Sequence, residues 1–122
     1  MSSDRRRAPR YQFIADAEVT EVLSGARSRV KTGDLSSGGC FLRTAAPPAE
    51  GTEVQVTIFQ AGDFFTALGR VVFVFPKMGM GIVFTRIGPI PQATLEKWLT
   101  ELDRDRSARI GLESPAVGLR RT

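Results

Sequence analysis

Residues 11–23 read Tyr11-Gln12-Phe13-Ile14-Ala15-Asp16-Ala17-Glu18-Val19-Thr20-Glu21-Val22-Leu23. Tyr11, Phe13, Ala15, Ala17 and Val19 fall on one side of an extended chain, and Asp16, Glu18 and Thr20 on the other. Successive side chains of a strand point to opposite faces, so this period of two predicts a half-buried strand. Ser24-Gly25 turns the chain, and a second strand is expected from Arg27 to about Asp34. The turn Asp34-Leu35-Ser36-Ser37-Gly38-Gly39 leads into a short third strand, Cys40 to Thr44. Pro47, Pro48 and Gly51 mark a loop. Alternation resumes from Glu53 to Gln60, with Val54, Val56 and Ile58 on one face. After a break at Ala61-Gly62-Asp63, a long fifth strand is read from Phe64 to Phe75, and a sixth from Met80 to Arg86. Beyond Pro89 and Pro91, Leu95, Trp98, Leu99 and Leu102 fall at i, i+3, i+4 and i+7, one helical stripe that fades past Arg104. Six short strands and one helix predict an all-β domain: a small antiparallel barrel, closed so that its sheet edges are hidden, with a C-terminal helix.

A chain of 122 residues has room for one such domain. The expected division is an arginine arm at 1–10, the barrel and helix at 11–104, and a disordered tail at 105–122. Histidine is absent and Cys40 is the single cysteine. That excludes an internal disulfide, a cysteine–histidine zinc site and every histidine-dependent triad. No apolar run approaches the ~20 residues of a membrane span. The polar, arginine-rich start is unlike a secretory signal, so a cytoplasmic location is expected.

The net charge of +4 is uneven. Residues 1–10 carry +3, residues 104–122 carry +3, and residues 11–103 carry −2. An acidic body with basic ends argues against a broad nucleic-acid face and favours a local anion site near an arm.

Two stretches carry chemistry. Arg5-Arg6-Arg7-Ala8-Pro9-Arg10 offers planar guanidinium forks suited to phosphate and to the O6/N7 edge of guanine. Pro9 stiffens the segment. In the turn, Asp34 can accept from a guanine edge, Ser36 can bond phosphate or base, and the glycines permit close backbone approach. Either stretch alone is more simply a solvated tail or a plain turn.

Taken together, Arg-Arg-x-x-x-Arg at 5, 6 and 10, followed by Asp-x-Ser-x-x-Gly at 34, 36 and 39, resembles the paired signature of the PilZ family. The run Met78-Gly79-Met80-Gly81-Ile82-Val83-Phe84 looks like the family's late glycine-rich strand. The resemblance covers roughly residues 5–103. It implies a six-stranded barrel with a C-terminal helix that binds the bacterial second messenger cyclic di-GMP. Arg6 and Arg10 would contact guanine and phosphate, Asp34 and Ser36 would hold a guanine edge, and Gly39 would let the backbone close in. Arg5 fills the position that the family associates with a stacked, intercalated ligand dimer. The expected role is a receptor or adaptor that signals to an effector protein. The alternative within the family is an interaction module that does not bind nucleotide.

The remaining residues have simpler readings. Trp98, Phe64, Phe65, Phe73, Phe75 and Phe84 are expected in the core, and Cys40 as an inert buried thiol. Asp16 and Glu18 belong to a solvated face. No carboxylate pair with a supporting group is recognisable, so neither an enzyme nor a cofactor is expected. A small basic barrel binding DNA is disfavoured by the acidic body and by the lack of any expected exposed aromatic platform.

Overall fold

The computed structural model describes the backbone of residues 8–113 and the side chains of residues 8–109. Its strands are β1 (Tyr11–Gln12), β2 (Asp16–Glu21), β3 (Arg27–Leu35), β4 (Gly39–Arg43), β5 (Glu53–Gln60), β6 (Asp63–Phe75) and β7 (Gly79–Arg86), followed by helix α1 (Pro89–Glu113). All pairings are antiparallel. The order β3-β2-β5-β6-β7-β4 closes on itself through β3–β4, giving a six-stranded barrel with β1 as an extra strand against β3.

The expected first strand is thus divided into β1 and β2, both lying along β3. Tyr11 faces Leu35, while Asp16 faces Lys31, so the register slips by one residue between them. Thr32 spans the slip. Its hydroxyl donates to the Phe13 carbonyl and accepts from the Ala15 N–H at 2.9 Å. Those bonds replace the missing ladder and satisfy a fully buried hydroxyl. The alternation read from sequence survives the interruption, because Tyr11, Phe13, Ala15, Ala17 and Val19 are all buried.

Val54, Val56, Ile58, Phe65, Val71, Met80 and Ile82 fill the barrel from the opposite strands. Helix α1 packs against β6 and β1. Leu95 and Trp98 are buried, with Leu99 and Leu102 packed against the same core. Trp98 meets Phe13 at 5.6 Å and Phe65 at 6.4 Å between ring centroids. Lys97 reaches Asp63 at 3.2 Å and pins the helix to the start of β6. The β5–β6 hairpin turns on Ala61 and Gly62, at φ of 52° and 82°. Two left-handed residues match the twist of the flanking strands.

Two readings need correction. Phe64, Phe73 and Phe75 are 58%, 41% and 51% exposed and lie outside the barrel. For Phe73 and Phe75 the cause is a β-bulge. Val71 pairs with Ile82 and Phe73 with Gly81, which leaves Val72 as an extra residue on β6. The bulge reverses the parity of the strand, so Val74 packs against the core and its phenylalanine neighbours face outward. Phe64 simply lies on the outward parity set by buried Phe65. The helix, for its part, does not end near Arg104, where the apolar stripe stops, but at Glu113. Most residues in 104–113 are ordinary helix formers, and the side chain of Arg106 reaches back to the start of the barrel. Arm residues 1–7, including Arg5 and Arg6, and tail residues 114–122 lie outside the described residues.

Candidate functional site

Of the expected site residues, the structure brings Arg10, Asp34, Ser36 and Gly39 to one corner of the barrel. Arg10 meets Asp34 through a fork, Nη2 to Oδ1 at 2.9 Å and Nε to Oδ2 at 3.3 Å. Asp34 is in position because Gly33 is bulged between Thr32 and Asp34, against Leu42 and Phe41 of β4. The same carboxylate accepts the Phe41 N–H at 3.0 Å. Asp34 therefore has a structural duty beside any ligand duty. The pair is half open to water, with side-chain exposures of 49% and 32%. An ion pair of this kind contributes about 0–1 kcal/mol, so an incoming anion can displace it at small cost.

Ser36 is buried, and its hydroxyl is spent inside the turn. It accepts from Gly39 N–H at 3.2 Å and Gly38 N–H at 3.3 Å, and donates to the Gly39 carbonyl at 3.2 Å. One donor and two acceptor sites are all that a hydroxyl has. In this state Ser36 shapes the turn. The missing side chain of Gly39 also has a local cause: a Cβ there would collide with the Ile82 carbonyl oxygen of β7. The turn is fastened to β7 a second time by the Phe84 N–H, which donates to the Gly38 carbonyl at 2.8 Å. The two motif regions that stand far apart in sequence, 34–39 and 78–84, are thus in direct contact.

Beside the turn lies a cleft of about 330 Å³ lined by Arg10, Ser36, Gly38, Gly39, Phe73 and Gly81, among others. Phe73 and Val72, missed by the sequence reading, form its apolar part. The run Val71-Val72-Phe73-Val74-Phe75 is apolar on both parities, so no local signal marks the bulge that turns them outward. Phe41, Phe73 and Phe75 make an exposed aromatic group on the outer face. This overturns the expectation that no such platform exists. A larger cleft, about 510 Å³, lies by Asp16, Lys31 and the β5–β6 hairpin. Its Lys31 is already bonded to Asp16 at 2.7 Å, and among the described residues no arginine lines it. The smaller cleft has the better chemistry for an anion.

The Cys40 thiol is fully buried beneath this corner, and burial pushes its pKa far up, in keeping with an inert thiol. Among the described residues, no cluster of acids or cysteine could hold a metal ion, and no helix is long and apolar enough to cross a membrane.

The PilZ domain family model matches residues 4–101. The chain belongs to the PilZ domain family. The PilZ domain of Escherichia coli YcgR, solved with c-di-GMP, superposes with a TM-score of 0.68 at 18% identity, covering 87% of this chain and 97% of that one. The Bacillus subtilis inhibitor of motility MotI/DgrA gives 0.70 at 16% identity, covering 83% of this chain and 52% of its own. The Borreliella burgdorferi PlzA protein, in complex with c-di-GMP, gives 0.61 at 16% identity, covering 78% of this chain and 41% of its own. At these identities the likeness shows the fold. No curated protein sequence matches the chain significantly.

Proposed function

We propose that this chain is a cyclic di-GMP receptor that passes the second-messenger level to a partner protein. The observation that carries the reading is the meeting of Arg10 with the 34–39 turn at the edge of a cleft. The guanidinium fork suits a phosphate or the O6/N7 edge of guanine, and the Asp34 carboxylate suits guanine N1 and N2. Arg5 and Arg6 would add two further cations from the same arm. Solved relatives that hold c-di-GMP support the assignment. Ligand phosphates would gather the arginines and draw the arm that precedes Arg10 onto the barrel. That rearranged surface is what a partner would read, by a shift of population between two arm states.

The Arg10–Asp34 pair and the fully engaged Ser36 hydroxyl also favour a second reading, an interaction module that does not bind nucleotide. Among the described residues, the side chains of Arg10, Asp34 and Ser36 already have partners. Calorimetry decides between the two. The receptor reading expects a dissociation constant of about 1 μM or tighter, roughly −8 kcal/mol. Arg6→Ala and Arg10→Ala should each weaken binding more than Asp34→Asn. No heat at near-millimolar cyclic di-GMP overturns the receptor and leaves the module.

A further inference from the structure

We infer that Phe73 is a nucleobase-stacking wall of this cleft, the surface on which a purine of the bound nucleotide lies; the inference rests on the receptor reading above. Four observations converge. First, the bulge at Val72 aims two consecutive apolar side chains outward, and Val72 and Phe73 remain 39% and 41% exposed. Bulges that re-aim a side chain are over-represented beside functional sites. Second, Phe73 faces Gly81 across the β6–β7 pair, and a Cβ on Gly81 would strike the Phe73 ring. The ring packs over a glycine that leaves room for it. Third, the ring is braced. Phe41 stacks beside it at 6.3 Å and 22°, and Phe75 tilts against it at 5.3 Å and 57°. A ring already fixed loses little freedom when a ligand settles on it. Fourth, Phe73 lines the same cleft as Arg10, Gly38 and Gly39. A purine needs both an apolar face to lie on and a polar group at its edge or phosphate, and the cleft supplies the two together.

The occupant is therefore the flat face of a cyclic dinucleotide base. A single-stranded nucleic acid would stack in a similar way but would track a longer basic groove, and the body of this protein is acidic. The role of Phe73 differs from that of the motif residues. Arginine and aspartate recognise charge and base edge, whereas Phe73 supplies contact area that is indifferent to which purine is bound.

The test uses the full chain with Phe73→Trp, Phe73→Ala and Phe73→Leu, all expected to stay folded because the side chain is outside the core, with melting measured for each. Stacking should quench the introduced indole saturably as cyclic di-GMP is added. Native Trp98 is buried in the core, so a parallel wild-type titration supplies its constant background. By calorimetry, Phe73→Ala should bind about tenfold more weakly, the effect of losing one stacked base. Phe73→Leu should fall close to Phe73→Ala, because bulk alone does not replace a ring. If wild type binds but the indole is unquenched, or Phe73→Ala binds as wild type does, the stacking wall is wrong and the receptor stands. If wild type does not bind, both readings fall. Quenching by a single-stranded oligonucleotide and not by cyclic di-GMP also overturns the inference, and assigns the ring to a nucleic acid.

Discussion

The guanidinium of Arg106 lies over the ring of Tyr11, its central carbon 4.2 Å from the ring centroid. The same side chain donates from Nη2 to the Arg10 carbonyl at 2.8 Å. The far half of α1 therefore grips the backbone of the residue whose side chain holds Asp34. Arg106→Ala should loosen this grip without disturbing the barrel. Amide exchange around Arg10 to Gln12 should quicken by roughly two- to fivefold, the factor that an exposed cation–π contact supplies. Exchange in β5 should be unchanged. Hydrogen exchange read by mass spectrometry measures both.

Tyr11 also donates its hydroxyl to Asp103 at 2.8 Å. That bond, with burial second, raises the phenol pKa above its ordinary value of 10. A raised folded-state pKa means that this contribution is complete below the ordinary tyrosine pKa. It is lost as pH rises through the folded value, when a phenolate would face a carboxylate. Wild-type melting temperature should therefore fall more steeply above pH 10 than that of Tyr11→Phe. Asp103→Asn should show the same flattening. Equal slopes in all three proteins would remove the bond from the account.

The double duty of Asp34 separates two substitutions that are usually treated as alike. Asp34→Asn keeps an acceptor for the Phe41 N–H and loses only the half-exposed ion pair, costing at most about 1 kcal/mol. Asp34→Ala leaves that amide unpaired where it is partly buried, costing about 1–3 kcal/mol. Urea denaturation should rank the proteins in that order. A binding loss in Asp34→Ala is interpretable only beside this stability measurement.

Gly39→Ala should be costly whether or not a ligand binds there, because the added methyl group meets the Ile82 carbonyl. Separation of β4 from β7 is resisted by their ladder, so the expected destabilisation is about 1–3 kcal/mol. Wild-type-like stability would mean that the close approach relaxes freely and that Gly39 is retained for another reason.

Arg5 is expected to set stoichiometry. Calorimetry should count two cyclic di-GMP molecules per wild-type chain and one in Arg5→Leu, since a third guanidinium can bridge or stack on a second ligand. One ligand in both proteins would refute this role while leaving Arg6 and Arg10 untouched.

The sequence was most informative where one period rules a whole strand. Residues 11–19 and 53–60 keep strict alternation, and there the inward residues are the buried ones. Reading failed where an extra residue changes parity. Nothing in Val71-Val72-Phe73 says that the strand steps, since the step is set by how β6 meets Gly81 on β7. The candidate site was legible in part, for a similar reason. Arg10, Asp34, Ser36 and Gly39 are spaced recognisably, but that Ser36 is consumed by its own turn depends on three backbone atoms of Gly38 and Gly39 whose placement side-chain identity does not encode. The clasp of Tyr11 by Asp103 and Arg106 joins residues some ninety positions apart and was invisible to any local window.

That clasp has an architectural consequence. Arg10 and Arg106, separated by 96 positions, touch one another, so the start of the barrel and the far half of α1 meet at a single corner. A unit whose first strand and last helix approach one another can be spliced into a surface loop of a host with little prising apart. It can also be rewired. Joined across that corner and cut open at Ala61-Gly62, the chain would keep every rung between β5 and β6 while its connectivity ran in a new order, and the arginine fork would become an internal loop.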